Sequence, residues 1–119
     1  MDRRFSERYV VAFPVRVEWK EDGKEIIEEG LTENVGLTGT LVYLPKRLPE
    51  VGSEVNFVVT EHPKYIVKVS ASVLRVERNV ARPTCALLLN EITPDWEEKV
   101  WKHAARIAST DSIETEDEE

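Results

Sequence analysis

Apolar and polar residues alternate along this chain in short runs, and no other feature limits the possible folds as much. Between Val11 and Trp19, the residues Phe13, Val15, Val17 and Trp19 alternate with Pro14, Arg16 and Glu18. An extended segment with that pattern has one apolar and one polar face, as in a half-buried strand. Pro14 has no amide proton to give to a ladder, so it belongs at an edge or a bulge. The stretch Lys20-Glu21-Asp22-Gly23-Lys24 sets an Asp-Gly pair between two strand-like runs, a hairpin signal. A second strand is expected over roughly 25–32. Further runs follow at 40–44, at 55–59 with Val55, Phe57 and Val59 alternating, at 65–77 and at 85–89. In the run over 65–77, Val67, Val69, Ala71 and Val73 share one face and Lys68, Ser70 and Ser72 the other. Six short strands predict an all-β sandwich or barrel, and closure into a barrel removes exposed edges.

Between the second and third strands lies Glu33-Asn34-Val35-Gly36-Leu37-Thr38-Gly39. Two glycines and an asparagine permit positive φ, so this segment is expected to be a loop. After the last strand the period changes. Thr93-Pro94-Asp95 offers an N-cap residue, a proline for the first helical position and an early acid. Trp96, Val100, Ala104 and Ile107 then fall on one stripe, with Glu97, Glu98, Lys102 and Arg106 outside it. One amphipathic helix should therefore pack on the barrel.

A length of 119 residues supports one domain with one modest core. No stretch approaches the roughly 18 apolar residues of a membrane span, and no apolar run follows the charges of Met1-Asp2-Arg3-Arg4-Phe5-Ser6 as a secretory signal requires. A cytoplasmic protein without membrane insertion is expected. The net charge of −7 argues at first against an anionic ligand, but its placement does not. Asp111, Glu114, Glu116, Asp117, Glu118 and Glu119 carry all but one unit of it, with no base among 109–119. That stretch reads as a disordered acidic tail beyond a domain over 1–108. Arg3, Arg4 and Arg8, by contrast, crowd the first eight residues. A local positive cluster on a near-neutral body suits one small anion better than DNA, which meets a broad basic face.

The parts of a catalytic centre are missing. His62 and His103 lack partners at metal or nucleophile spacing. Cys85 sits in an apolar run, reads as a small core residue, and alone can form neither a disulfide nor a cysteine metal cluster. Neither an enzyme nor a metal protein is expected. Two motifs remain, Arg4-x-x-x-Arg8 and Asn34-x-Gly36-x-x-Gly39. An arginine fork can bond a phosphate, or the O6/N7 edge of guanine, through two parallel hydrogen bonds. An asparagine amide offers both a donor and an acceptor to another base edge. Glycines let the backbone come close to a flat ring or an anion. This is the chemistry of a guanine-and-phosphate reader. The same residues also fit a plain structural reading, because arginines near a terminus and Asn-x-Gly turns are ordinary.

In order and setting, the two motifs resemble those of the PilZ domain family, whose members bind cyclic di-GMP. The resemblance spans roughly residues 3–107. It rests on Arg3-Arg4-Phe5-Ser6-Glu7-Arg8 for the family's RxxxR element and Asn34-Val35-Gly36-Leu37-Thr38-Gly39 for its [D/N]xSxxG element. Leu48-Pro49-Glu50-Val51-Gly52, the strand Val69-Ser70-Ala71-Ser72-Val73-Leu74-Arg75 and the closing strand and helix follow the same pattern. The resemblance implies a six-stranded antiparallel barrel with one C-terminal helix, over which a mobile segment, 1–9, closes on the ligand. It implies that Arg4 and Arg8 hold guanine edges and phosphates, and that Asn34 contacts a guanine beside Gly36 and Gly39. Members with an extra arginine just before RxxxR, the place of Arg3, tend to take an intercalated ligand dimer. One position departs from the pattern: Gly36 stands where the family has serine. A neutral hydrogen bond contributes roughly 0.5–1.5 kcal/mol, so its loss should weaken binding rather than abolish it. The function implied is a receptor that orders its N-terminal segment on cyclic di-GMP and signals to an unidentified protein partner. The alternative is a degenerate member acting as a ligand-independent interaction module in a motility or envelope assembly. A single-stranded RNA binder on an OB-like barrel is disfavoured, since the body is near neutral and lacks an aromatic stripe.

Overall fold

The computed structural model describes residues 7–108. Arg3, Arg4 and the acidic stretch 109–119 lie outside the described residues. Seven strands and a helix follow in order: β1 (Arg8–Tyr9), β2 (Pro14–Glu21), β3 (Lys24–Gly36), β4 (Gly39–Tyr43), β5 (Glu54–Val59), β6 (Val67–Glu77), β7 (Thr84–Leu89) and α1 (94–108). Neighbours run in the order β3-β2-β5-β6-β7-β4, and β4 pairs back onto β3, so six antiparallel strands close a barrel. The expected all-β barrel with one C-terminal helix is what the chain forms.

β1 is the addition. It pairs with the end of β3, Arg8 opposite Gly36 and Tyr9 opposite Val35, beyond the point where β2 has left β3 at Leu31. β1 and β2 are therefore two stretches along the same side of β3, interrupted at 10–13. Thr32 bridges the interruption. Its buried hydroxyl accepts a hydrogen bond from the Phe13 amide at 2.8 Å and donates to the Val11 carbonyl, while its own amide bonds the Phe13 carbonyl at 3.0 Å. Polar side-chain groups are buried without cost only when paired in this way.

The alternation read from the sequence holds where it was strongest. Val15, Val17 and Trp19 on β2, Val55, Phe57 and Val59 on β5, and Val67, Val69, Ala71 and Val73 on β6 all enter one core. Pro14 begins β2, where its missing amide proton costs no ladder bond, and its carbonyl takes the Thr60 amide at 3.0 Å. The Asp22-Gly23 hairpin has φ of 54° and 77° at its two residues, both in the left-handed region that such a turn needs. Cys85 is buried in the core, and desolvation pushes its thiol up to about 12, which keeps it protonated and inert.

The helix starts as its sequence predicts, with the Thr93 hydroxyl accepting the Trp96 amide at 3.1 Å. Trp96, Val100 and Ala104 are buried in the barrel's core, and Ile107 packs against it. Its first turns are wider than an α-helix. Over Trp96–Trp101 the chain follows a π-turn, and the Lys102 amide bonds the carbonyl of Glu97 five residues back. Residues five apart are about 140° apart around an α-helix of 3.6 residues per turn, whereas a wider i→i+5 turn brings them much closer to the same side. Trp101 consequently joins the side of Trp96 and packs beside Tyr9 of β1, ring centres 6.1 Å apart.

The segment 33–39 is not the expected loop. β3 continues through Asn34, Val35 and Gly36, and β4 begins at Gly39, so only Leu37 and Thr38 lie between. The expectation rested on glycines adopting positive φ, and neither Gly36 nor Gly39 does; the glycines that do are Gly23 and Gly52. Both motif glycines answer to close packing instead.

Candidate functional site

Two bulges decide which side chains reach the outer face of the barrel near β1. On β3, Thr32 is opposite Val42 and Asn34 opposite Leu41, so Glu33 is an extra residue with no partner. Strict alternation would send Asn34 inward with Thr32. The extra residue reverses the phase, so Thr32 and Val35 are buried while Asn34 emerges. Glu33 is held in place by an ion pair with Arg82, whose guanidinium also lies 4.2 Å above the Tyr43 ring. On β6 the same device operates between Val73 and Arg75, with Leu74 as the extra residue. Val73 stays in the core and Arg75 is turned out.

Asn34 and Arg75 thereby share one shallow depression of about 200 Å³ with Arg8, Leu41, Leu74 and Ala86. Arg8 reaches it from β1. Its Nη1 donates to Asn34 Oδ1 at 3.2 Å, and its stem crosses the surface of Gly36. A methyl group on Gly36 would lie 3.2 Å from Arg8 Cγ and 3.2 Å from the Gly39 carbonyl. At Gly39 a methyl group would come 2.5 Å from the Leu87 carbonyl and 3.6 Å from Arg8 Nη2. Glycine at 39 lets β4 approach β7, and glycine at 36 leaves the path of Arg8 clear.

The backbone beneath is fixed from three sides. Thr40 donates its hydroxyl to the Asn34 carbonyl at 2.7 Å, and the Leu89 amide bonds the Thr38 carbonyl at 2.9 Å. From α1, the Trp96 indole N–H is shared by the carbonyls of Gly36 at 3.3 Å and Leu37 at 3.0 Å. Trp96 is buried and meets Phe57 edge-on at 5.9 Å.

Of the residues singled out in the sequence, the fold brings together Arg8, Asn34, Gly36 and Gly39; Arg3 and Arg4 lie outside the described residues. Sequence reading missed Arg75 and Trp96 as parts of this site. Arg75 sits in a run whose alternation assigns it to the core face, a conflict that can only be resolved by a bulge. Trp96 reads as core, and nothing in a single sequence says that its N–H has a task. The larger depressions elsewhere differ in charge, and one of about 250 Å³ is lined by Lys46, Arg47 and Arg78, of which Arg47 pairs with Glu21 and Arg78 with Glu50. One of about 440 Å³ between α1 and the 60–66 connection sets Glu61 Oε2 3.7 Å from His103 Nε2, and one of about 600 Å³ over β2 and β5 contains Glu18 3.8 Å from Lys68. Among the described residues, no group of three or more His, Cys, Asp or Glu could hold a metal ion, and no helix is long and apolar enough to cross a membrane.

A family model described as PilZ domain matches residues 2–105. No curated protein sequence matches the chain closely enough to count as a relative. Several solved structures share its fold. The PilZ domain of YcgR from Escherichia coli, solved with c-di-GMP, superimposes with a TM-score of 0.68 at 12% identity, over 93% of this chain and 95% of that one. The PilZ domain of CeSA from a cellulose-synthesizing bacterium gives 0.57 at 19% identity, over 87% and 96%. The inhibitor of motility MotI/DgrA of Bacillus subtilis gives 0.62 at 18% identity, over 83% of this chain but only 48% of its own length. The chain thus spans about half of that longer protein.

Proposed function

The chain belongs to the PilZ domain family, and from that premise we propose that it is a cyclic di-GMP receptor, not an enzyme, which passes the binding event to a protein partner. The observation that carries this reading is the pair of bulges that turn Asn34 and Arg75 out beside Arg8. Buried strands gain nothing from two phase reversals that expose polar groups at one spot, whereas a reader of a polar, anionic ligand does.

Cyclic di-GMP carries two guanines and two phosphodiester charges. Arg8 and Arg75 supply planar forks for phosphate oxygens or for guanine O6 and N7. Leu41, Leu74 and Ala86 supply an apolar floor against which a base can lie. Arg4 precedes Arg8 by four residues, a reach of at most about 14 Å in extended chain, so it can close on a ligand held at Asn34. Arg3, one residue further, is in place to meet a second ligand, and an intercalated dimer is the bound form we propose. Ordering of the segment ahead of β1 on binding would change the surface beside α1, because Tyr9 already touches Trp101. The partner is a protein that recognises that altered surface, and a cytoplasmic setting fits such a receptor.

Isothermal titration of cyclic di-GMP into the wild type and an Arg4→Ala/Arg8→Ala variant tests the assignment. Hydrogen bonds to charged groups contribute about 1.5–3 kcal/mol each, so the double variant should bind at least about a hundredfold more weakly. A wild type that takes up no ligand at about 100 μM, or a variant that binds as well, would leave the interaction-module reading in its place. A molar ratio near two supports the dimer, and a ratio near one overturns it.

A further inference from the structure

We infer that the first half of β3, residues 24–30, is a docking edge for an extended segment of another protein, one that carries basic side chains on either side of an apolar one. The inference goes beyond the ligand assignment above and does not depend on it.

β3 is 13 residues long, and its neighbours cover it unevenly. On one side β2 takes it from Lys24 to Leu31 without a break in register, but on the other side β4 joins only at Leu31. The chain leaving β4 turns inward there. A methyl group on Gly30 would collide with the Tyr43 carbonyl, and Leu44 is buried with its amide on the Pro83 carbonyl at 3.1 Å. The Asp22-Gly23 turn then fixes which backbone groups are left over. In a two-residue hairpin the flanking residues, here Glu21 and Lys24, exchange both hydrogen bonds, and the bonding alternates along the ladder from that point. Lys24, Ile26, Glu28 and Gly30 thus bond β2, and the Thr32 amide on the Phe13 carbonyl continues the series. Glu25, Ile27 and Glu29 turn their N–H and C=O groups the other way, where none of the described residues pairs them.

Such a row of free donors and acceptors is a template for one more strand. Edges that must stay bare are commonly broken by a proline or a bulge, and residues 24–30 contain neither. The side chains beside the free groups choose the occupant. Glu25 and Glu29 are exposed, and Ile27 between them is 55% exposed. Lys24 and Lys20, the latter across from Glu25, offset part of this charge, whereas Arg16, across from Glu29, is held by Glu18 at 2.8 Å. Among the described residues, none of Glu25, Glu28 and Glu29 has an ion pair within 4.0 Å. A second copy of the chain fits badly. An antiparallel pair that uses all three residues sets Ile27 on Ile27 but Glu25 on Glu29, like charges directly opposite. A strand with an apolar side chain for Ile27 and a base two residues to each side meets opposite charges instead.

Two experiments on the full chain test this. In hydrogen exchange of the free protein, the amides of Ile26 and Glu28 should be slow and those of Glu25, Ile27 and Glu29 fast. A slow Ile27 amide means that the edge is already covered, and overturns the inference. A synthetic peptide with the core Lys-Thr-Val-Thr-Lys, which has the same pattern in either strand direction, should shift the Glu25, Ile27 and Glu29 amides at millimolar concentration and slow their exchange. A Glu-Thr-Val-Thr-Glu peptide should bind about tenfold more weakly, and Glu25→Lys/Glu29→Lys should reverse that order. Equal binding of the two peptides, or no shift with the basic one, overturns the inference. Sedimentation that finds a dimer dissolved by Ile27→Lys puts a second copy on the edge and overturns it too.

Discussion

Gly36 and Gly39 are three residues apart in one motif, yet the structure asks different things of them. At Gly39 the neighbour is the Leu87 backbone carbonyl, 2.5 Å from where a methyl group would stand, and backbone in a closed barrel cannot step aside. Gly39→Ala should therefore destabilise the fold by about 1–3 kcal/mol, the cost of overpacking, and thermal melting of the ligand-free protein would show it. At Gly36 the neighbours are a flexible, exposed arginine and the Gly39 carbonyl, both 3.2 Å off, so substitution there should register in binding and lower the melting temperature less than at Gly39. The sequence made both glycines legible as parts of a site but gave the wrong reason. Positive φ is a local property that a turn-like composition invites one to assume. Close approach is a property of two strands that meet only in the fold, Gly39 facing Leu88 across β4 and β7 and Gly36 facing Arg8 across β3 and β1.

Elements bring these residues to one place, and their irregularities matter more than their regular parts. The strands and the helix could be read from period and punctuation, since Val67 to Val73 and Thr93-Pro94 say what they are. The bulges at Glu33 and Leu74 could not, because each is a one-residue phase error inside an otherwise plausible run. The π-turn escaped for the same reason. A stripe through Trp96, Val100 and Ala104 fits an ordinary helix, and only the packing of Trp101 on Tyr9 reveals the extra residue. Helix and site meet at Trp96. Trp96→Phe keeps a ring against Phe57 but removes the N–H that the Gly36 and Leu37 carbonyls share. Leaving buried acceptors unpaired costs about 1–3 kcal/mol, and chemical denaturation should report a loss in that range. Cyclic di-GMP affinity should fall as well, since the turn carrying Gly36 loses its support from below.

At the scale of the whole molecule, closure was the most legible feature: six alternating runs need a partner for every edge, and β4 returning to β3 provides it from Leu31 onward. Acid should loosen the barrel in a definite direction. Glu54 is held below the ordinary carboxylate value of 4.5 by the Ser72 hydroxyl and then the Asn90 amide, tying β5 to β6 and to the residue after β7. Glu21 is lowered by the Trp19 indole and then by Arg47. A carboxyl depressed in the folded state stabilises fully above its unfolded value and loses that contribution as pH falls through the folded one. Tm should thus hold steady above about pH 4.5 and decline below it, with a shallower decline in Glu54→Gln. Glu54 is exposed and Glu21 only half-buried, so the effect should be modest and salt-sensitive. β1, finally, has a bearing on how the protein can be built upon. Only two residues pair it to β3, and the first of them, Arg8, lines the depression it shares with Asn34. A fluorophore, an affinity tag or an entire domain spliced ahead of Glu7 would therefore ride on the segment proposed above to respond to ligand. That makes the upstream end a natural mount for an optical reporter of cyclic di-GMP and a poor choice for a purification handle.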